Sequence, residues 1–280
     1  MLFLALLLVQ FLVTSENFEW DVVGQYLFFP RILQGLWTTI WLTVVCMVIA
    51  VVLGTLVAVA RMSPNPILSV PSAIYVWFFR GTPVLVQLIF WFNLSSLIPE
   101  ITIALPFGGP VLFSESTNAL ITPLMAAILG LGLNEAAYMS EIVRGGILGV
   151  DQGQSEAATA LGMPKRRILQ RIVLPQAMRL IIPPSSNEFI NLLKTTSLVS
   201  VITLSELLYS AQSIYSQSFQ IIPLLVVASI WYLVVVSVLS FGQRFLEQRF
   251  SRGSSRSAPV SLWARFSRNL MLRRPRGAAS

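Results

Sequence analysis

Five stretches of the chain stay largely apolar over the length of about 20 residues that a helix needs to cross a bilayer: roughly 34–60, 71–98, 119–142, 179–207 and 221–243. The first runs from Gly35 to Ala60 without a charge and closes at Arg61. The last runs from Ile221 to Gly242, also uncharged, and closes at Arg244. The middle three carry ionisable residues inside them. Such groups are costly in lipid and belong on a cavity, a partner or the membrane edge, so function is to be sought there. Met1–Val13 is apolar but too short to span alone, and it lacks the positive leader and small-residue cleavage site of a signal peptide. It is either part of a sixth span that starts upstream or an interfacial segment.

Composition agrees with the pattern. Hydrophobic residues make up 55% and charged residues 11%, with a mean hydropathy of +0.75, whereas a soluble domain carries about 25% charged residues. The expected fold is an all-α integral membrane protein of five transmembrane helices, or six if Met1–Val13 belongs to a span. Histidine is absent, which removes imidazole metal sites and histidine-based triads. Cys46 is the single cysteine, so neither an internal disulfide nor Cys-x-x-Cys chemistry is available. No G-x-x-x-x-G-K-[ST] phosphate loop occurs, which excludes ATP hydrolysis by that route.

Charge placement orients the spans. The net charge is +7, yet residues 243–280 alone hold nine arginines and one acid, for +8, and the rest of the chain sums to −1. An arginine-rich tail beside a final span reads as cytoplasmic and lipid-facing rather than as a nucleic-acid site. Arg144, Lys165, Arg166, Arg167, Arg171 and Arg179 make the 143–178 loop cytoplasmic as well. The 99–118 loop, with Glu100, Glu115 and no basic residue, falls outside, as does the acidic segment before the first span. The topology is N-out with five spans and C-in. The chain divides into an N-terminal segment 1–33, a transmembrane domain 34–247 and a basic tail 248–280.

Asp151 is placed to cap a helix over Gln152–Leu161, with Gln154 at the capping-box position. Gly162 suits the left-handed turn that ends a helix, and Pro164 suits the first turn of the next. That second helix runs through Lys165–Ile168 to Leu174-Pro175. By local physics alone the result is either an amphipathic connector on the membrane surface or a rigid knob for a partner.

Glu156-Ala157-Ala158, three residues, Gly162, nine residues and Ile172-Val173-Leu174-Pro175 read E-A-A-x3-G-x9-I-x-L-P. This loop, 151–175, resembles the signature of permease subunits in ATP-binding-cassette importers. Tyr75–Pro83 with its F-R-G-T-P run, Ala137–Gly146, and Asn187–Ile190 through Lys194–Leu198 resemble segments of the polar amino-acid subfamily (glutamine, glutamate, histidine and arginine types). The likeness covers about 34–247; the apolar N-terminus and the arginine tail depart from the family's usual short form. The resemblance implies a bacterial cytoplasmic-membrane permease whose Glu156, Ala157, Ala158, Gly162, Pro164, Leu174 and Pro175 form coupling helices. It further implies two ATP-binding subunits, a second permease copy or paralogue, and an extracytoplasmic solute-binding protein. No cofactor is expected on this chain; ATP and Mg enter through the ATPase.

Asn187, Asn191 and Lys194 follow i, i+4, i+7 spacing on one helix face, with Glu188 and Thr195 on the next. This polar stripe either lines a pathway or packs against another subunit. If it lines a pathway, Glu188 is the first choice for a substrate ammonium. Glu141 and Arg144, at i, i+3, are expected to pair. Arg80 precedes Gly81 and Pro83, which should kink or break the helix; it either holds a carboxylate bidentately or satisfies carbonyls freed at the kink. Gln87, Asn93, Glu135 and Asn134 are further polar candidates. Two rival functions are an ion-coupled secondary transporter, which would need paired broken helices in repeated halves where no repeat is found, and an intramembrane enzyme. The second lacks a nucleophile–base pair, and both aspartates, Asp21 and Asp151, lie outside the spans.

Overall fold

A computed structural model describes residues 18–105 and 110–250, and these are mostly helical. The apolar stretch Met1–Val13 and the tail beyond Phe250 lie outside the described residues. After a short helix α1 (Trp20–Leu27), helix α2 (Pro30–Arg61) begins on a proline at its first turn, where the missing N–H would have been unpaired anyway. It starts a turn earlier than hydropathy suggests. Asn65 caps α3 (Pro66–Gly81) by accepting from the Ile67 amide at 3.0 Å.

The expected kink after Arg80 is a full change of direction: α3 and α4 (Val84–Phe92) meet at 101°. Proline disfavours helical geometry in the residue before it, and Thr82 is extended at φ −113°, ψ 142°. The stretch 71–98 is therefore not one straight span. The 99–118 loop also needs correction, since it folds into strands β1 (Glu100–Ala104) and β2 (Val111–Ser116), paired antiparallel. The protein is thus not wholly α.

A one-turn helix α5 (Thr117–Leu120) leads into α6 (Pro123–Leu148), capped by Thr122 Oγ1, which accepts from the Met125 amide at 3.3 Å. Then come α7 (Gln152–Ala160) and α8 (Lys165–Ile168). A π turn, Leu169–Val173, joins α8 without a break to α9 (Leu174–Thr195). The expected stop at Leu174-Pro175 does not occur. The π turn, where a helix takes in an extra residue, lies directly before the proline whose missing N–H interrupts the ordinary ladder. A 3₁₀ stretch (Thr196–Ile202) follows, then α10 (Leu207–Ser218) and α11 (Ile221–Phe250).

α2 and α6 run side by side in the same direction. Leu42 and Cys46 share a cluster with Ala126, Ala127 and Leu131, and further along Ala50 and Ala58 cluster with Ala136, Met139 and Val143. The close approach is set by Gly54, where an added Cβ would lie 2.8 Å from the Ala136 carbonyl. α9 runs the opposite way, with Ser185 Oγ 3.4 Å from Met139 Sδ. α11 returns against it, with Gln243 Nε2 donating to Asn187 Oδ1 at 2.9 Å.

α2 and α11 are each long and apolar enough to cross a membrane, and counting each bent helix pair as one span gives up to four. The second pair, Lys165–Ile202 with Leu207–Ser218, bends by 43°. At 26 residues α6 has the length of a span, but Asn134, Glu135, Glu141 and Arg144 dilute its apolar run. These polar groups occupy the middle and the C-terminal half of α6, and the site faces its middle turns.

Candidate functional site

A cavity of about 460 Å³ opens where the α3–α4 break faces α6 and α9. The break contributes Arg80 and Thr82, α6 contributes Asn134, Glu135 and Tyr138, and α9 contributes Glu188, Asn191 and Thr195. Each set follows from local geometry. On α9 the three polar residues are spaced i, i+3, i+7, which stacks them on one face. On α6, Asn134 and Tyr138 sit one turn apart beside Glu135. The break itself swings Arg80 and Thr82 to the cavity wall.

Charge in the cavity is uneven. Glu135 is 7% exposed, and its Oε1 has no hydrogen-bond partner among the described residues. A buried carboxylate oxygen left unpaired is costly, so the site is incomplete as an electrostatic unit. Arg80 lies over the Tyr138 ring, 5.1 Å from its centroid, and 4.0 Å from Glu141. Glu141 is already engaged: Arg144 bonds its Oε2 at 2.7 Å through Nη2 and at 3.1 Å through Nε, as the i, i+3 spacing predicts. Arg61 pairs with Oε1 of the same carboxylate. Arg80 is thus the member of this arginine group with spare donors toward the cavity.

The carbonyls freed at the break are served by other groups. Gln87, 4% exposed, donates Nε2 to the Phe79 carbonyl at 3.0 Å, to the Thr82 carbonyl at 3.2 Å and to Thr82 Oγ1 at 2.8 Å. Asn134 Nδ2 donates to the same Phe79 carbonyl at 2.7 Å and to Gln87 Oε1 at 3.3 Å. The second reading of Arg80, as a partner for kink carbonyls, is therefore unnecessary.

Of the sequence candidates, Arg80, Asn134, Glu135, Glu188, Asn191 and Thr195 come together on the cavity. Gln87 supports its wall from behind. Asn187 is turned to α11 through Gln243, Lys194 is exposed off the cavity lining, and Asn93 bonds back to the Ile89 carbonyl at 2.8 Å at the end of its own helix. Tyr138 and Thr82 carried no weight in the sequence. Tyr138 could have been found from its i+4 spacing to Asn134. Glu206 also went unnoticed. Fully buried, it caps α10 by accepting from the Tyr209 amide at 2.7 Å, and it accepts from Tyr232 Oη at 2.9 Å and Thr39 Oγ1 at 3.4 Å. These bonds tie α2, α10 and α11 together away from the cavity.

Beyond the C-terminal end of α6 stands the 151–175 segment. Asp151 Oδ1 accepts from the Gly153 amide at 2.8 Å, which sets the start of α7. Gly162 adopts φ +76°, and the Met163 amide reaches back to the Ala158 carbonyl at 3.1 Å, closing a left-handed helix end. Glu156, Ala157, Pro164, Leu174 and Pro175 are exposed, whereas Ala158 is buried inward. The exposed tip includes Leu161, 84% exposed, an apolar side chain with no cover among the described residues.

Residues 50–252 match the family described as binding-protein-dependent transport system inner membrane component. The arginine transport system permease protein ArgU of Corynebacterium glutamicum is 47% identical over 255 residues, covering 90% of this chain and 79% of that protein. The L-cystine transport system permease protein TcyB of Bacillus subtilis is 37% identical over 242 residues, covering 86% and 95%. Among solved structures, an amino acid ABC transporter determined with histidines aligns at TM-score 0.69 and 32% identity, over 82% of this chain and 98% of the other. A methionine ABC transporter aligns at TM-score 0.59 and 18% identity, a likeness of fold alone.

Proposed function

This chain belongs to the family of binding-protein-dependent transport system inner membrane components, and from that premise we propose that its 460 Å³ cavity is the passage for a polar, cationic amino acid. The chain is the permease subunit of an amino acid ABC importer and a multi-pass membrane protein. It is a transport component rather than an enzyme, and the ATPase is a separate chain. Neither the family nor its relatives point to ion-coupled transport.

One observation supports the substrate reading best: the cavity sets an arginine with spare donors across from two acids. An amino acid carries a carboxylate that the Arg80 fork can take bidentately and an ammonium that Glu188 can take. That leaves Glu135, buried with one oxygen unpaired. A cationic side chain would supply the missing partner and offset the burial of the charge. A neutral side chain would not. A relative named for arginine fits this preference. The volume suits such a ligand, since small-molecule sites run from roughly 300 to 1,000 Å³.

Coupling follows from the segment beyond the C-terminal end of α6. The 151–175 segment is a helix, a left-handed glycine and a second helix that continues through the π turn into α9. Motion imposed on the exposed tip would reach the cavity wall as a rigid-body shift, because α9 carries Glu188 and Asn191. Glu156 and Leu161 give the tip a charge and an apolar contact for an ATPase groove. On the five-span, N-out, C-in topology proposed from the charges, this tip lies in the cytoplasm of a bacterial cell. Two ATPase subunits, a second permease copy or paralogue and an extracytoplasmic binding protein complete the transporter, and ATP and Mg stay with the ATPase.

The test is uptake by vesicles holding the reconstituted transporter. Labelled arginine should accumulate with ATP and be competed by lysine better than by glutamine. Equal competition by neutral amino acids would remove the cationic reading, and uptake without ATP would remove the importer reading.

A further inference from the structure

The hairpin β1–β2 has two unlike faces. Cross-strand partners share a face, and the register pairs Glu100 with Ser116 and Thr102 with Ser114, the last two hydroxyls 2.9 Å apart. The other face pairs Ile101 with Glu115 and Ile103 with Phe113. Ile103 is 57% exposed and Phe113 40% exposed, so no layer among the described residues covers the apolar face. An isolated two-stranded hairpin is marginal in water. Its base, however, is clamped: Thr117 donates its amide to the Pro99 carbonyl at 2.9 Å and its hydroxyl to the Ile98 carbonyl. The face is therefore held in a fixed orientation and left open.

We infer that the Ile101–Ile103–Phe113 face of this hairpin is a docking surface for the extracytoplasmic solute-binding protein. The inference rests on the importer reading above. The hairpin precedes α6 and the 151–175 segment follows it, so the two lie at opposite ends of one 26-residue helix. If that segment meets the ATPase, the hairpin faces the other side, where the binding protein arrives. Composition decides against a lipid occupant. Residues 99–118 contain Glu100 and Glu115, no lysine or arginine, and no tryptophan or tyrosine. A surface without tryptophan, tyrosine, lysine or arginine lacks the anchors of the membrane interface. Glu115 sits beside Ile101 on the apolar face, which suits a protein patch of apolar centre and basic rim.

The experiment uses the full transporter in vesicles and, as probe, the purified amino-acid-loaded binding protein that stimulates ATP hydrolysis by the wild-type complex. The double variant Ile103→Asp, Phe113→Ser should raise the binding-protein concentration for half-maximal stimulation by ~10-fold or more, leaving unstimulated hydrolysis and subunit assembly unchanged. Glu115→Lys should raise it less and weaken its dependence on salt. Stimulation curves that coincide with wild type would overturn the docking surface and leave the importer reading intact. If no amino-acid-binding protein stimulates the wild-type complex, the importer reading fails and the docking surface fails with it. Separately, Phe113→Trp should be protected from quenching by brominated lipid; strong quenching, unchanged by the binding protein, would assign the face to the membrane and overturn the inference.

Discussion

The Gln87 side chain hydrogen-bonds to the Phe79 carbonyl at 3.0 Å across the break between α3 and α4. One buried amide group thereby spans eight residues of chain and holds a 101° change of direction. Its position explains how the cavity keeps its shape: Thr82 and Arg80 stand on the segment that Gln87 fixes, and Asn134 joins the same network from α6. The polar groups at the break satisfy backbone that proline leaves unpaired, which membrane interiors require of any interrupted helix.

Gln87→Leu should therefore weaken the cavity without removing any residue that lines it. The change leaves buried carbonyl oxygens short of a donor, at about 1–3 kcal/mol for each unsatisfied group. Thermal unfolding of the detergent-purified transporter should shift downward, and the KM for uptake should rise while the protein still inserts. Unchanged values for both would mean that the break is held by proline geometry alone.

Glu206 and Tyr232 give a second test, far from the cavity. Tyr232→Phe removes one hydrogen bond, worth about 1 kcal/mol. Glu206→Ala removes the α10 cap and leaves Tyr232 and Thr39 without their acceptor, so its cost should be on the order of 3 kcal/mol or more. Because both residues belong to one network, the double variant should cost less than the sum. Stability measured by denaturation of the purified complex checks this, and strict additivity would dissolve the network.

The sequence made the two long apolar helices, the break after Arg80 and the loop geometry at Asp151 and Gly162 readable, because each depends on residues within a turn or two. What escaped depends on partners far along the chain. Glu206 bonds Thr39, 167 residues away, and an acid between two apolar runs reads as a span edge until α2 and α11 are placed around it. The hairpin was hidden by the expectation of an external loop, although Glu100-Ile101-Thr102-Ile103 alternates as a strand should. The cavity was half legible: periodicity on α9 put Asn187 and Lys194 with Asn191, and only packing shows that the lining face carries Glu188, Asn191 and Thr195. Similarly, the run from Lys165 into α9 was hidden by Pro175, because a π turn leaves no simple sequence mark.

Glu188→Gln and Glu135→Gln should separate within the cavity. A substrate ammonium is common to all amino acids, so Glu188→Gln should raise the KM for every substrate by ~10-fold or more, in line with loss of a charge-assisted bond of about 1.5–3 kcal/mol. Glu135→Gln should act on cationic substrates alone, cutting the preference for arginine over glutamine by a similar factor. Competition uptake in vesicles distinguishes the two. Parallel losses from both variants would mean that the carboxylates act together rather than on different groups of the substrate.

Gly162 tests the coupling end. It sits at φ +76° with open space around a would-be Cβ, so steric contact with neighbours is not at issue. The cost of Gly162→Val lies in the backbone, since a β-branched residue in the left-handed region is strained by roughly 1–2 kcal/mol. The strain is relieved by re-aiming α7 against α8, which moves Glu156 and Leu161 away from their places on the tip. Spans far from the loop should still insert, and ATP hydrolysis should continue with fewer amino acids imported per ATP. Gly162→Asn, which tolerates this backbone region, should recover most of the coupling. If Gly162→Val transported with a normal ratio, the angle between α7 and α8 would not carry the coupling, and the contact with the ATPase would have to lie elsewhere on the 151–175 segment.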